Sequence, residues 1–334
     1  MTYTSGGLIQ ATDYNGFVND GANNINAVWS TGSGDKGWGQ TAISNVSVGG
    51  TVTATQWATL VANLATAGQQ TNSTLTSRTQ PVAGNVIAIL ANVATDINTI
   101  TANRGNATAS GAEYGVFSGS TSKTTATGSG TSAWTITFTH TLTFASANAA
   151  RYFFNAGGLV RLQYGKSSTG TDTDPDWNTL AGQCGSIYFA GRVNGAAQTI
   201  AGTSYTGTSR VGGTGGTQTT LATTTGYYSL TAGAAAVTLF QLNNATAPYS
   251  GEYIRTTVAL NAGATILTFT TTWVSDGSSG AGTSANITGG TGVSSPATSI
   301  GAASAPTTLL TYVPPSTTYL SASWGTPSIA ASAV

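Results

Sequence analysis

The segment Trp134-Thr-Ile-Thr-Phe-Thr-His-Thr-Leu-Thr-Phe144 alternates apolar or ring-bearing side chains with threonine at every step. A period of two sends successive side chains to opposite faces, so this stretch suits a strand with one face in a core and spoils any helical stripe. Threonine is β-branched and favours the pleated surface. The second face, Thr135, Thr137, Thr139, Thr141 and Thr143, is therefore uniform and uncharged, and it can meet another subunit or a glycan as readily as water. His140 falls on the apolar face, between Phe138 and Leu142.

Further strands are expected over 159–164, 186–189, 227–230, 237–242, 253–260 and 266–274, separated by turns rich in Gly, Asn, Asp and Pro. Short strands punctuated in this way predict an antiparallel sandwich or jelly-roll-like region. Pro175, Asp176, Trp177 and Leu180 predict one short helix among them. The tail carries Pro314, Pro315, Tyr319, Leu320 and Trp324, and no internal repeat of fixed period is present.

The first hundred residues have a different period. Tyr14, Phe17, Val18, Ile25, Val28 and Trp29 recur at helical intervals behind Thr12, which predicts a helix over 13–29. Thr53 and Gln56 fit a capping box ahead of Trp57, Leu60, Val61 and Leu64, with Gly68 placed to end that helix. A third stripe, Val86, Leu90, Val93, Ile97 and Ile100, closes at Asn103 and Gly105. The expected fold class is α+β, mainly β. Its parts are a helical attachment module over 1–105, a Gly/Ser/Thr-rich linker over 106–131, and an antiparallel β domain with an ordered C-terminal tail over 132–334.

Only 6% of the 334 residues are charged and the formal net charge is zero, whereas an ordinary soluble domain carries about 25% charged residues. Lys36, Lys123, Lys166, Glu113 and Glu252 are the whole complement of Lys and Glu, so hydroxyl and amide groups must cover the surface. Such a surface does not repel a neighbouring copy, which suits a subunit packed among others. Seven Trp, thirteen Tyr and nine Phe are too many for a solvated low-complexity chain. Arg78, Arg104, Arg151, Arg161, Arg192, Arg210 and Arg255 are scattered singly, so phosphate neutralisation, and with it nucleic-acid binding, is not expected. No apolar run approaches the length of a membrane span, and Met1 to Gln10 lacks the basic and apolar regions of a signal peptide. Neither membrane insertion nor signal-directed export is expected.

Residues with reactive chemistry are few. His140 is the sole histidine, and its place on an apolar face makes it a core residue rather than a general base. The lone Cys184 excludes an internal disulfide framework and reads as a small buried residue. Gly32, Gly34 and Gly37 spell G-x-G-x-x-G, but no strand precedes them and no helix follows at once, so they predict a tight turn around Trp38 and not a phosphate cradle. Asp172, Asp174 and Asp176 have the alternate spacing that opens a calcium loop. Trp177 stands where an EF-hand needs Gly, and Gln183 where it needs Glu. A Ca2+ site completed by backbone carbonyls is the one metal expectation, the other reading being a solvated turn that caps the following helix. A glycoside hydrolase would need paired carboxylates, here drawn from that cluster and from Glu113, Glu252 or Asp276. No catalytic residue and no organic cofactor is expected, and the chain does not read as an enzyme.

Three groups of motifs resemble one family. Ala11-Thr-Asp-Tyr-Asn-Gly-Phe-Val18, Val28-Trp-Ser-Thr-Gly-Ser-Gly-Asp-Lys-Gly-Trp-Gly-Gln40 and Val52-Thr-Ala-Thr-Gln-Trp57 are similar to the opening of tailed-bacteriophage virion structural proteins, most of all those of marine cyanophages. Phe144-Ala-Ser-Ala-Asn-Ala-Ala-Arg-Tyr-Phe-Phe-Asn-Ala-Gly-Gly158, with Trp177 and Gly185, resembles their central part. The stretch from Tyr312, Val313, Pro314, Pro315 and Ser316 to Trp324 and Gly325 resembles their end. The resemblance implies a part of the virion and supplies no catalytic residues. A tail or fibre subunit is expected, with the collar, baseplate and capsid exterior as other compatible places. Its partners would be copies of itself, by analogy with fibres a trimer, other virion proteins met through residues 1–105, and a host-surface glycan. The alternatives are a glycan-degrading tailspike and a capsid-exterior decoration protein.

Overall fold

The structure is a computed structural model that describes residues 10–77, 90–108, 119–122, 134–166, 174–191, 197–245, 251–275 and 306–334. Helix α1 (Ala11–Asn15) runs directly into a π-helical turn (Gly16–Asp20), and α2 (Ile25–Trp29) follows after a break. The single helix expected over 13–29 is interrupted because Gly21 takes extended geometry, with φ −78° and ψ 156°. Asn24 restarts the helix by accepting a hydrogen bond from the Ala27 N–H. The apolar positions still share one side, since Tyr14, Phe17, Val18, Ile25, Val28 and Trp29 are all buried.

Helix α3 (Ala54–Gln70) starts at the expected capping box, in which the Thr53 hydroxyl accepts from the Gln56 N–H and the Gln56 side chain accepts from the Thr53 N–H. It passes Gly68 and ends at Gln70. That glycine serves packing instead, because a Cβ on it would lie 2.6 Å from Leu75 Cδ1. Helix α4 (Leu90–Ala102) buries Val93, Ile97 and Ile100 of the third stripe, while Val86 lies outside the described residues.

The strands are β1 (Asn106–Ala107), β2 (Gly119–Ser122), β3 (Trp134–Thr143), β4 (Leu159–Gly165), β5 (Ser186–Phe189), β6 (Gln198–Ile200), β7 (Thr203–Tyr205), β8 (Thr208–Val211), β9 (Thr217–Leu221), β10 (Val237–Asn243), β11 (Tyr253–Leu260), β12 (Ile266–Ser275), β13 (Thr307–Val313) and β14 (Ser328–Ala333). Helix α5 (Ala147–Asn155) joins β3 to β4, and α6 (Asp174–Cys184) joins β4 to β5. One antiparallel sheet has the order β14-β3-β12-β11-β10-β9 and a second the order β2-β13-β4-β5-β8. The class is α+β and mainly β, a short helical part followed by an antiparallel sandwich.

The inner faces of the two sheets meet through rings. Phe189 of β5 lies edge-on to Phe269 of β12 at 5.6 Å, and Tyr164 of β4 stacks on Phe240 of β10 at 6.2 Å. A chain of buried hydroxyls crosses the same gap: Tyr164 OH to Thr256 Oγ1 at 2.8 Å, and Thr256 to Thr271 at 2.8 Å. The first and last strands of each sheet do not stand alone, since β14 lies beside β2 and β8 beside β9. Such mutual cover limits the exposed edges through which sheets aggregate.

Three further expectations differ from what forms. Residues 227–229 make a 3-10 turn and not a strand, because the Tyr227 and Tyr228 N–H groups donate to the carbonyls of Ala190 and Gly191 and the Tyr227 ring stacks on Phe154 at 4.5 Å. The described parts of the stretch read as a linker are sheet: β1 pairs with β6 and β2 with β13. Strands made of Gly, Ser and Thr are held by backbone pairing and leave no apolar period to read. The helical segment also shares one continuous core with the sandwich, so the boundary near Gly105 marks a change of period and not a gap in packing.

Candidate functional site

Among the described residues, those that sequence reasoning weighed for chemistry do not converge. His140 is fully buried on β3, opposite Phe269 and Ala331. Cys184 is fully buried at the end of α6, where desolvation pushes its thiol pKa far up despite the favourable charge of Arg210. Asp174 and Asp176 stand in the first turn of α6. Asp172 and the side-chain geometry of that trio lie outside the described residues, as do Glu113 and Asp276. Glu252 is buried. Among the described residues no group of three His, Cys, Asp or Glu side chains comes together.

The glycine loop is a carbonyl cage. Gly32, Gly34 and Gly37 all have positive φ, and a Cβ on Gly37 would meet the Thr31 carbonyl at 2.1 Å. The turn aims its carbonyl oxygens at α5: the Arg151 guanidinium donates to Thr31 O at 2.8 Å, Lys36 O at 2.9 Å and Gly34 O at 3.3 Å. Asn155 donates to Gly34 O and Gly37 O, and Trp38 Nε1 donates to Asn155 O at 3.1 Å. An anion cradle presents N–H groups. This loop presents the opposite polarity and is filled by the protein's own guanidinium.

Among the described residues two surfaces stand out. The first is the outer face of the six-stranded sheet, where the alternation of β3 is repeated on its neighbours. Pairing places Ser332, Thr139, Thr270, Thr257 and Thr238 in one row across five strands. The next row holds Thr137, Thr272, Arg255, Gln241 and Thr220. On the other side lie Ala330, Thr141, Thr268 and Ala259. Of all residues in these six strands only Arg255 is charged, and its guanidinium lies 5.5 Å from the Tyr253 ring centroid. The sequence showed the threonines of β3; the rows appear only once register is known.

The second surface is a cleft of about 470 Å³ between the first turns of α3 and the extended segment 39–44, with Tyr14, Trp29 and Ser321 also lining it. The wall opposite α3 is pinned from behind. Asn26 accepts from the Ile43 N–H at 3.0 Å and donates to its carbonyl at 2.8 Å, and Asn15 does the same for Val46 at 2.8 Å each way. Gln40 donates to Trp38 O and Ser321 O and accepts from the Ser321 N–H. The aromatic polar tips hold the rims, with Trp29 Nε1 donating to Thr41 O at 3.0 Å and Tyr14 OH to Gln56 O at 3.4 Å. Burial raises the Tyr14 pKa, so the phenol stays neutral. Sequence reasoning missed this cleft, because it saw Gln56 only as a cap and had no signal that two polar segments would face each other.

Comparison with protein-family models, with curated proteins and with solved structures gives no match. No helix among the described residues is long and apolar enough to cross a membrane.

Proposed function

We propose that this chain is a structural subunit of a bacteriophage virion, of tail or fibre type, and not an enzyme. The observation that carries the reading is the hydroxyl-paved outer face of the six-stranded sheet, with Arg255 as its single charged side chain. A protein that works as a free monomer is ordinarily kept apart from its copies by charge. Here neighbouring copies meet no electrostatic barrier on that face, and threonine offers both a methyl for contact and a hydroxyl for hydrogen bonding. The motif groups at Ala11, Val28, Phe144 and Tyr312 that resemble virion structural proteins support the same reading. In this arrangement the helical end addresses other virion proteins, and the threonine face meets copies of the chain, in a trimer, or a host-surface glycan.

Electron microscopy of purified particles labelled with antibody to residues 132–334 tests the proposal. Label on the tail is the expected result, and unlabelled particles would overturn it. Label over the head in hundreds of copies would make the chain a capsid-exterior decoration protein instead.

A further inference from the structure

We infer that the cleft between α3 and residues 39–44 is a binding site for a neutral saccharide of one or two sugar units. Its volume of about 470 Å³ falls within the roughly 300–1,000 Å³ of small-ligand sites. No lining residue carries a formal charge, so a carboxylated, sulfated or amino sugar would find no counter-ion.

The polar groups in the cleft are the kind a sugar uses. The Asn63 amide, the Ser44 hydroxyl and the Gln56 Nε2 make no hydrogen bond to any described residue. The backbone N–H and C=O groups of Ala42 and Ser44 likewise have no partner among the described residues, while those of Ile43 between them are taken by Asn26. Both walls therefore offer donors and acceptors to the same space, and sugar hydroxyls act as both. The exposed methyl groups of Thr41, Ala42, Thr55 and Thr59 supply the apolar part of the contact, over the buried rings of Tyr14 and Trp29. One wall is already held by Asn15, Asn26 and Gln40 and the other is helix α3, so binding orders little of the chain.

The assignment rests on the cleft and holds whether or not the chain is a virion subunit; particle labelling tests the one and sugar binding the other. The test titrates the full chain, labelled with nitrogen-15, with cellobiose, maltose, lactose and N,N′-diacetylchitobiose, and follows amide shifts. Glucuronic acid and glucosamine serve as charged comparisons. Saturable shifts confined to residues 41–44 and 55–63 from at least one neutral disaccharide are expected, with none from the charged sugars. Gln56→Glu keeps the acceptor that caps α3 and replaces the cleft donor with an anion, and Asn63→Ala removes a second contact. Each should weaken binding by roughly tenfold with an unchanged melting temperature, while Thr270→Ala on the sheet face should leave binding as it was. Absence of saturable shifts from all four disaccharides would overturn the inference. So would shifts that map to the threonine face, equal response to the charged sugars, or unaltered binding in both cleft variants.

Discussion

The helical segment and the sandwich bury their backbones by different means. In the sandwich, sheet pairing satisfies the main chain, and the interior is left to side chains such as Phe269, Trp273, Phe189 and Leu162. Between α2 and α3 the chain runs through turns and coil without a strand partner, and side chains stand in for one. Asn15 and Asn26 each give a donor and an acceptor to one residue of that segment, as a neighbouring strand would. Arg151 and Asn155 supply donors to the carbonyls of the glycine turn. A buried backbone group must be paired by something. Where no ladder is available, amides and a guanidinium become part of the fold.

The place where the two regions join should show the largest effect. Trp38 of the helical segment is fully buried, lies edge-on to Trp29 at 6.4 Å and donates from Nε1 to the Asn155 carbonyl of α5 at 3.1 Å. Trp38→Ala should cost about 3–5 kcal/mol, and in urea the helical and sheet signals should move together; separate transitions would show that the shared core does not couple the regions. Asn26→Ala tests the stand-in strand. It leaves the Ile43 N–H and C=O without their partner and should cost about 2–3 kcal/mol by thermal or urea unfolding. A cost near zero would mean that water replaces the amide and that the comparison is overdrawn.

Within the sandwich, polar groups matter less because the ladder does most of the pairing. Thr271→Val removes one end of the hydroxyl chain that runs through Thr256 to Tyr164, and a loss of about 1 kcal/mol is expected. Thr139→Val, on the outer face of the adjacent strand, should change stability by less than about 0.5 kcal/mol. If the two substitutions proved equal in the isolated chain, the outer row would be as constrained as the buried one.

Much of the sandwich was legible in the sequence, and for one reason. β3, β4, β5, β10, β11 and β12 alternate or concentrate apolar side chains on a buried face, and period is visible without a structure. β2, β7, β9 and β14 lack that contrast, since the chemistry of Gly-Ser-Thr-Ser or Thr-Gln-Thr-Thr is the same on both sides. Thr53 and Gln56 announced the start of α3, because a cap is local. The break at Gly21 carried a signal as well, in Gly21 and Asn24, but six apolar residues in helical phase on either side outweighed it. The cleft was illegible because its walls are joined by nothing local: Ser44 and Asn63 are ordinary polar residues until Asn26 and Gln40 fix the segment opposite α3.

The threonine rows have a consequence for the medium in which the molecule can work. Coulomb contacts between exposed charges fade as ionic strength rises, because the screening length falls from about 10 Å at 0.1 M to about 3 Å at 1 M. A face whose only charge is Arg255 has almost nothing for ions to screen. Contacts made there should hold with nearly the same strength in dilute buffer and in concentrated sodium chloride, which frees the surface from the salinity of its surroundings.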